Sequence, residues 1–371
     1  MALELKRELV LGELRKPRLA MLSVSAAIGG MFVPALIYLY FQLGDIGQNG
    51  WGTVMATDTA FVIGCLALLG RRIPKSLRVF MLSLAIVDDL GAIVVVALGY
   101  NNQIDGFYVA AALIGFAIVK LMAFIGIRSI ALFFIVGGLI WLFVDASGIH
   151  ATVTGVILGL MTPTNKWVGD DRLHSIMDCV VSIPSESHSS GTVVNREILK
   201  TAEAAAREAL SPVERLESML HPWVGFVVMP LFAFANAGIV LTTTDFTAPV
   251  TMAVFLGFVA GKPIGICLFT WITVRLKIAI LPPNLHWRLI LAGGMLAGIG
   301  FTMAIFIANL AYSTEQINAA KLGILLASLF SAVSGLILLR FSTISCNSSR
   351  GSLNNAAEPA FEVATKPLER Q

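Results

Sequence analysis

Leu84-Ala85-Ile86-Val87-Asp88-Asp89-Leu90-Gly91 places two adjacent carboxylates inside an apolar run from about Val79 to Leu98. A run of that length is enough for a helix to cross a bilayer. Each ionised side chain at mid-membrane depth costs roughly 2.5–3.5 kcal/mol on insertion scales, so a pair of them needs a compensating purpose. One purpose is to hold something charged. The plainer reading of this segment alone is a buried structural ion pair.

The rest of the chain has the composition of a membrane protein. Of its 371 residues 57% are hydrophobic and 13% charged, and the mean hydropathy is +0.82. Such values belong to polytopic membrane proteins. The four cysteines (Cys65, Cys179, Cys267, Cys346) form no C-x-x-C pair, which excludes a disulfide framework and gives no zinc signature. A net charge of +3 carries no sign of nucleic acid as a partner. The charged, amphipathic start Met1-Ala2-Leu3-Glu4-Leu5-Lys6-Arg7-Glu8 is not a cleavable signal peptide, so the first span is expected to act as an uncleaved anchor.

About ten apolar runs follow one another, at 20–41, 53–70, 78–100, 106–127, 129–145, 147–162, 222–241, 248–274, 288–311 and 319–340. The connections support this reading independently. Lys6, Arg7, Arg15, Lys16 and Arg18 precede the first run, and 42–52 has no Lys or Arg. Arg71, Arg72, Lys75 and Arg78 follow, then a bare 99–107, Arg128, a bare 145–149, and a basic loop from Lys166 to Arg215. The alternation continues through a bare 242–250, Arg275 with Lys277 and Arg288, a bare 312–318, and Arg340. Positive charge on alternate connections puts both termini in the cytoplasm with an even number of spans. The expected division is an N-terminal membrane region (residues 1–162) carrying Asp88 and Asp89, a cytoplasmic loop (163–220), a C-terminal membrane region (221–341), and a disordered tail (342–371). Within the loop, Ser182 to Gly191 reads as disordered, and Glu197 to Leu210 as a solvated helix ended by Ser211-Pro212.

Three further spans carry polar or helix-breaking residues. The second contains Thr57-Asp58-Thr59; the eighth contains Gly257, Gly261-Lys262-Pro263 and Gly265; the ninth contains Gly293-Gly294 and Gly298-Ile299-Gly300. Interruptions at matching places in two halves mark the broken helices of a transporter's binding site. Here the first three and last three spans form such halves, with 53–70 and 288–311 in the middle of each. The alternative for the glycines is close helix packing, and for Gly257 and Gly261 the two readings are evenly balanced. Broken helices leave end charges at the midplane, which Asp58 (at N-terminal ends) and Lys262 (at C-terminal ends) are suited to neutralise.

Adjacent residues on a helix point about 100° apart, so one of Asp88 and Asp89 can pair with Lys262 while the other faces a water-filled cavity. Carboxylates about 5 Å apart at an effective dielectric near 20 repel by roughly 3 kcal/mol. Burial also disfavours the second charge. The pair therefore holds a proton at low pH and offers oxygens to a hard cation once it has lost that proton. Competition between proton and cation for one site is the chemistry of an antiporter. No G-x-x-x-x-G-K-[ST] phosphate loop is present to suggest a primary pump.

At this point several motifs resemble those of the NhaA-type sodium/proton antiporters. They are Ala56-Thr57-Asp58-Thr59-Ala60-Phe61, Leu84 to Ile93, His221-Pro222-Trp223-Val224, Pro230 to Gly238, Gly261-Lys262-Pro263-Ile264-Gly265 and Gly298-Ile299-Gly300-Phe301-Thr302-Met303. The resemblance runs from about Leu3 to Leu339, apart from the loop after Pro163. It implies an all-α polytopic membrane protein with inverted-topology repeats and two broken helices crossing at the midplane. It implies electrogenic exchange of sodium (or lithium) for protons by alternating access, in a bacterial inner membrane, for pH and sodium homeostasis. It further implies that Asp89 is the chief ion- and proton-binding carboxylate, with Asp88 beside it and Lys262 paired to Asp88. Thr57 and Asp58 lie at the crossing of the broken helices, and Glu4, Glu8, Glu217 and His221 match positions tied to pH activation. For these last four the alternatives are a solvated amphipathic turn at Glu4 and Glu8 and a helix-entry histidine at His221. No cofactor is expected; the partners are lipid, sodium ions and protons.

The chain also departs from the family pattern. It opens where the family's second span ends, so the first two spans and their hairpin are expected to be absent, weakening the implied homodimer. An insertion at about 165–214 has no assigned role. Two other classes compete with antiport: a truncated, non-transporting paralogue kept as a membrane fold or partner, and an intramembrane aspartyl protease. The protease pattern has Gly-x-Gly before its catalytic Asp, whereas Ile86-Val87 precedes Asp88 here, and the expectation is a transporter rather than an enzyme.

Overall fold

The computed structural model describes residues 2–10, 12, 17–70, 73–100, 104–127, 129–164, 211–236, 238, 245–282 and 284–362, with side chains as far as 342. Among them every regular element is helical. These are α1 (Ala2–Val10), α2 (Pro17–Phe41), a 3-10 segment (Ile46–Met55), α3 (Thr59–Leu69), α4 (Lys75–Gly99), α5 (Gly106–Ile125), α6 (Ile130–Ala146) and α7 (Thr152–Met161). After the loop come α8 (Pro212–Asn236), α9 (Pro249–Arg275), α10 (Trp287–Ala297), α11 (Phe301–Ala311) and α12 (Ile317–Glu362).

Seven of these stretches are long and apolar enough to cross a membrane: α2, Gly47–Leu69, α4, α5, α8, α9 and α12 up to Ser342. The bent pair α10 and α11 makes an eighth, and α6 and α7 are shorter apolar helices. Each coincides with one of the ten apolar runs, so the chain is an all-α, multi-pass membrane protein. The two broken elements, the 3-10 segment with α3 and α10 with α11, hold the middle place in the first three and last three spans.

Local sequence accounts for where the helices start and stop. Asp105 caps α5 by accepting from the Phe107 amide at 2.9 Å, and Gly126, at φ +83°, ends it in the left-handed conformation that glycine adopts without strain. That turn divides the long apolar run 106–145. At α8, Ser211 and Glu214 form a reciprocal capping box with Pro212 in the first turn. Ser211-Pro212 thus begins a helix that continues through Pro222 to Asn236, ten residues earlier than the apolar run at 222. The second span likewise begins before residue 53. Its first half is the 3-10 segment Ile46–Met55, where Gly50 lets the backbone lie against the buried Tyr312 ring.

The polar residues after Ser342 were expected to be disordered, whereas the helical backbone of α12 continues to Glu362. Extending an existing helix is far cheaper than starting one. The loop readings at 182–191 and 197–210 fall outside the described residues.

Two compact units emerge, both discontinuous in sequence. One comprises Met1–Lys16 with Ala92–Asn236. In it α5 packs on α6 around Ala112, Val119, Ile140 and Val144, and α1 lies against α7 and α8. The other comprises Pro17–Gly91 with Ala237–Gln371 and unites the first three and last three spans. Its apolar core includes Leu22, Leu66, Leu77, Met81, Leu84, Ile266, Leu289 and Leu296. The tightest packing is between α2 and α9, where a Cβ on Gly265 would stand 2.1 Å from the Gly29 carbonyl oxygen. A π-helical turn at Gly257–Gly261 precedes Lys262 in α9. There Gly257 packs on Val54 and Gly261 on Pro34, so these two glycines serve close packing while α9 stays continuous.

Candidate ion-binding site

The polar residues singled out within the spans all belong to the second unit, with Thr57 to Thr59 at a helix break, Asp88 and Asp89 inside α4, and Lys262 inside α9. Between the 3-10 segment and α3 the backbone is extended at Ala56 and Asp58. Between α10 and α11 the chain turns by 48° at 298–300. The breaks touch directly: the Asp58 amide donates to the Ile299 carbonyl at 2.6 Å. The Thr57 hydroxyl donates to the Ala297 carbonyl at 2.9 Å.

Four helix ends meet there. Asp58, 1% exposed, caps two N-termini at once. Its Oδ1 accepts from the Phe61 amide in α3 at 3.3 Å, and its Oδ2 accepts from the Thr302 amide in α11 at 2.9 Å and from the Thr302 hydroxyl. One negative side chain thus answers two positive helix ends. The C-terminal ends are met by opposite polarity. Lys262 Nζ donates to the Met55 carbonyl closing the 3-10 segment, and Thr57 answers the last carbonyl of α10.

Lys262 also donates to Thr57 Oγ1 at 2.8 Å and to Asp88 Oδ2 at 2.6 Å. Those three acceptors use the three hydrogens of an ammonium group. The Lys262–Asp88 ion pair is buried on both sides, with side chains 0% and 1% exposed.

Asp89 is 1% exposed and points to a different neighbour. Its Oδ2 accepts from the Thr59 hydroxyl at 2.7 Å. The contact forms because Thr59 at the start of α3 reaches across to α4. Oδ1 of Asp88 and Oδ1 of Asp89 are both buried with no hydrogen-bond donor among the described residues. Buried acceptors without a donor are uncommon and ask for an explanation. Paired oxygens on neighbouring acids supply what a proton or a small hard cation binds.

The chain matches the family described as Na+/H+ antiporter 1 over residues 1–339. It belongs to this family. Among its relatives, the Na(+)/H(+) antiporter NhaA 2 of Vibrio vulnificus is 64% identical over 340 residues, covering 92% of this chain and 76% of that protein. The Na(+)/H(+) antiporter NhaA of Rhizobium meliloti is 55% identical over 342 residues, covering 92% and 78%. That of Rhodopirellula baltica is 46% identical over 337 residues, covering 91% and 77%.

For this member of the antiporter family, the four residues matched to pH activation all belong to the first unit. Arg7 of α1 donates to Glu217 of α8 at 2.5 Å and lies 3.5 Å from Glu8. Glu4 and His221 are within electrostatic range of Glu217. His221 is exposed in α8, one residue before Pro222. Sequence reasoning did not single out Arg7, Thr59 or Thr302 as contacts of these groups. Thr59 stands beside Asp58, and Thr302 falls in the Gly298–Met303 motif, so both were in view, but their partners lie in other helices. The Met55 carbonyl carries no side-chain signal at all.

Proposed function

We propose that this chain is a secondary transporter that exchanges sodium (or lithium) for protons at Asp88 and Asp89. The observation that carries the reading is the pair of buried, donor-less carboxylate oxygens beside a fully bonded Lys262, at the meeting point of two broken helices. Family membership over residues 1–339 supports the exchange itself. In this reading Asp89 is the main carrier of both ions. Asp88 is held by Lys262, and Asp58 and Thr57 keep the four helix ends balanced so that the site persists as it opens to each side in turn. Two acids that release protons for one monovalent cation make the exchange electrogenic. The protein sits in a bacterial inner membrane with both termini cytoplasmic, a placement supported by the alternating Lys and Arg of its connections. Glu4, Glu8, Glu217 and His221 form a cluster suited to sensing pH.

The test is sodium-dependent dequenching of a ΔpH dye in everted membrane vesicles. The unmutated chain dequenches on sodium addition, and Asp88→Asn or Asp89→Asn reduces the response to background. An unmutated chain with no response overturns antiport in favour of a non-transporting membrane protein.

A further inference from the structure

Thr59 is the first residue of α3, and its hydroxyl donates to Asp89. A hydroxyl at a helix N-terminus ordinarily serves its own backbone. In this chain that task falls to Asp58, whose carboxylate caps α3 through the Phe61 amide. The Thr59 hydroxyl instead reaches a different helix, 30 positions away, at 2.7 Å. It is also the least buried member of the cluster: Thr57, Asp58, Asp88, Asp89 and Lys262 are buried, whereas Thr59 is half-buried.

We propose that Thr59 is a positioning residue of the ion site, whose hydroxyl holds Asp89 Oδ2 and so aims Oδ1 at the incoming cation. The inference rests on the antiport reading and deepens it. The Thr59 hydroxyl has a single hydrogen to give. Its hydrogen is committed to Oδ2, which fixes the carboxyl rotation and leaves Oδ1, already without a donor, as the oxygen presented to an ion. Within the second unit the charged groups around Asp89 include Asp88 on its own helix, Asp58 at the start of α3 and Lys262 on α9. Lys262 is directed at Asp88, and Asp58 is engaged by two helix N-termini, so neither makes a hydrogen bond to Asp89.

Thr59 therefore sets how well Asp89 is oriented to take sodium. Replacing it by valine removes the hydroxyl at nearly constant shape. A hydrogen bond to a charged group is worth enough to change a binding constant about tenfold or more. Thr59→Val is expected to raise the KM for sodium about tenfold. The change falls on KM more than on the maximal rate at alkaline pH. Thr59→Ser, which restores a hydroxyl, returns the KM toward that of the unmutated protein.

The measurement is sodium-dependent dequenching in proteoliposomes of the purified full chain across a pH series, with sodium binding by titration calorimetry in detergent beside it. An unchanged KM in Thr59→Val overturns the proposal, as does a serine variant that behaves like valine, since either result assigns the position to packing. If the unmutated chain gives neither transport nor sodium-dependent heat, the antiport reading falls and this inference falls with it. If the unmutated chain transports and only Thr59→Val is unaltered, the inference alone is lost.

Discussion

Lys262 is 0% exposed, and its burial depends on three acceptors: the Met55 carbonyl oxygen, Thr57 Oγ1 and Asp88 Oδ2. Removing one partner of a buried ion pair leaves an uncompensated charge and costs about 3–5 kcal/mol. Lys262→Met should therefore lower the thermal midpoint of the detergent-purified protein markedly. Adding Asp88→Asn to that variant should recover much of the loss, because the stranded charge is then gone. Equal melting of the single and double variants would show that the pair is not coupled. At this scale the charged residues were legible because an ionised side chain in an apolar run is too costly to be accidental. Their hydrogen-bond partners were not. The Met55 carbonyl belongs to the backbone, and threonines are common enough in apolar helices that Thr59 and Thr302 stand out only when three-dimensional neighbours are known.

Among the elements, the two broken helices account for the site's position. Each break exposes unpaired amides on one side and carbonyls on the other, and Asp58, Thr57 and Lys262 answer them in matched polarity. The glycine cluster at 293–300 pointed to a break, and one occurs at 298–300, while Gly293 and Gly294 remain helical. Sequence alone could not divide the cluster, since glycine serves both a break and a close contact. The α2–α9 contact is the clearest case of the second use. A methyl group at Gly265 would meet the Gly29 carbonyl oxygen at 2.1 Å, and backbone cannot rotate aside as a flexible side chain does. Overpacking of this kind costs typically about 1–3 kcal/mol. Gly265→Ala should lower the melting temperature and reduce sodium-dependent dequenching through displacement of Lys262, three residues earlier on the same helix. A variant with unaltered melting would show that α2 and α9 separate without strain.

For the molecule as a whole, the ten apolar runs and their alternating charge were enough to reach a multi-pass helical protein. The grouping of those runs was less accessible. Sequence order suggests membrane regions that follow one another, whereas packing unites Pro17–Gly91 with Ala237–Gln371 and groups Met1–Lys16 with Ala92–Asn236. Contacts between distant segments leave no periodic trace in a single sequence, and the hint came only from matching helix breaks in the two halves. The second unit holds the paired acids with their lysine, while the Arg7–Glu217 ion pair belongs to the first. Central to the proposed function is that sodium and protons contend for Asp88 and Asp89. The most direct measure of that contest is the release of protons when sodium is added to the purified protein in weakly buffered detergent at mildly alkaline pH. The unmutated chain should acidify the medium in proportion to the sodium bound, and Asp89→Asn should bind little and release nothing. Sodium binding without proton release, or release that persists in Asp89→Asn, would contradict the claim.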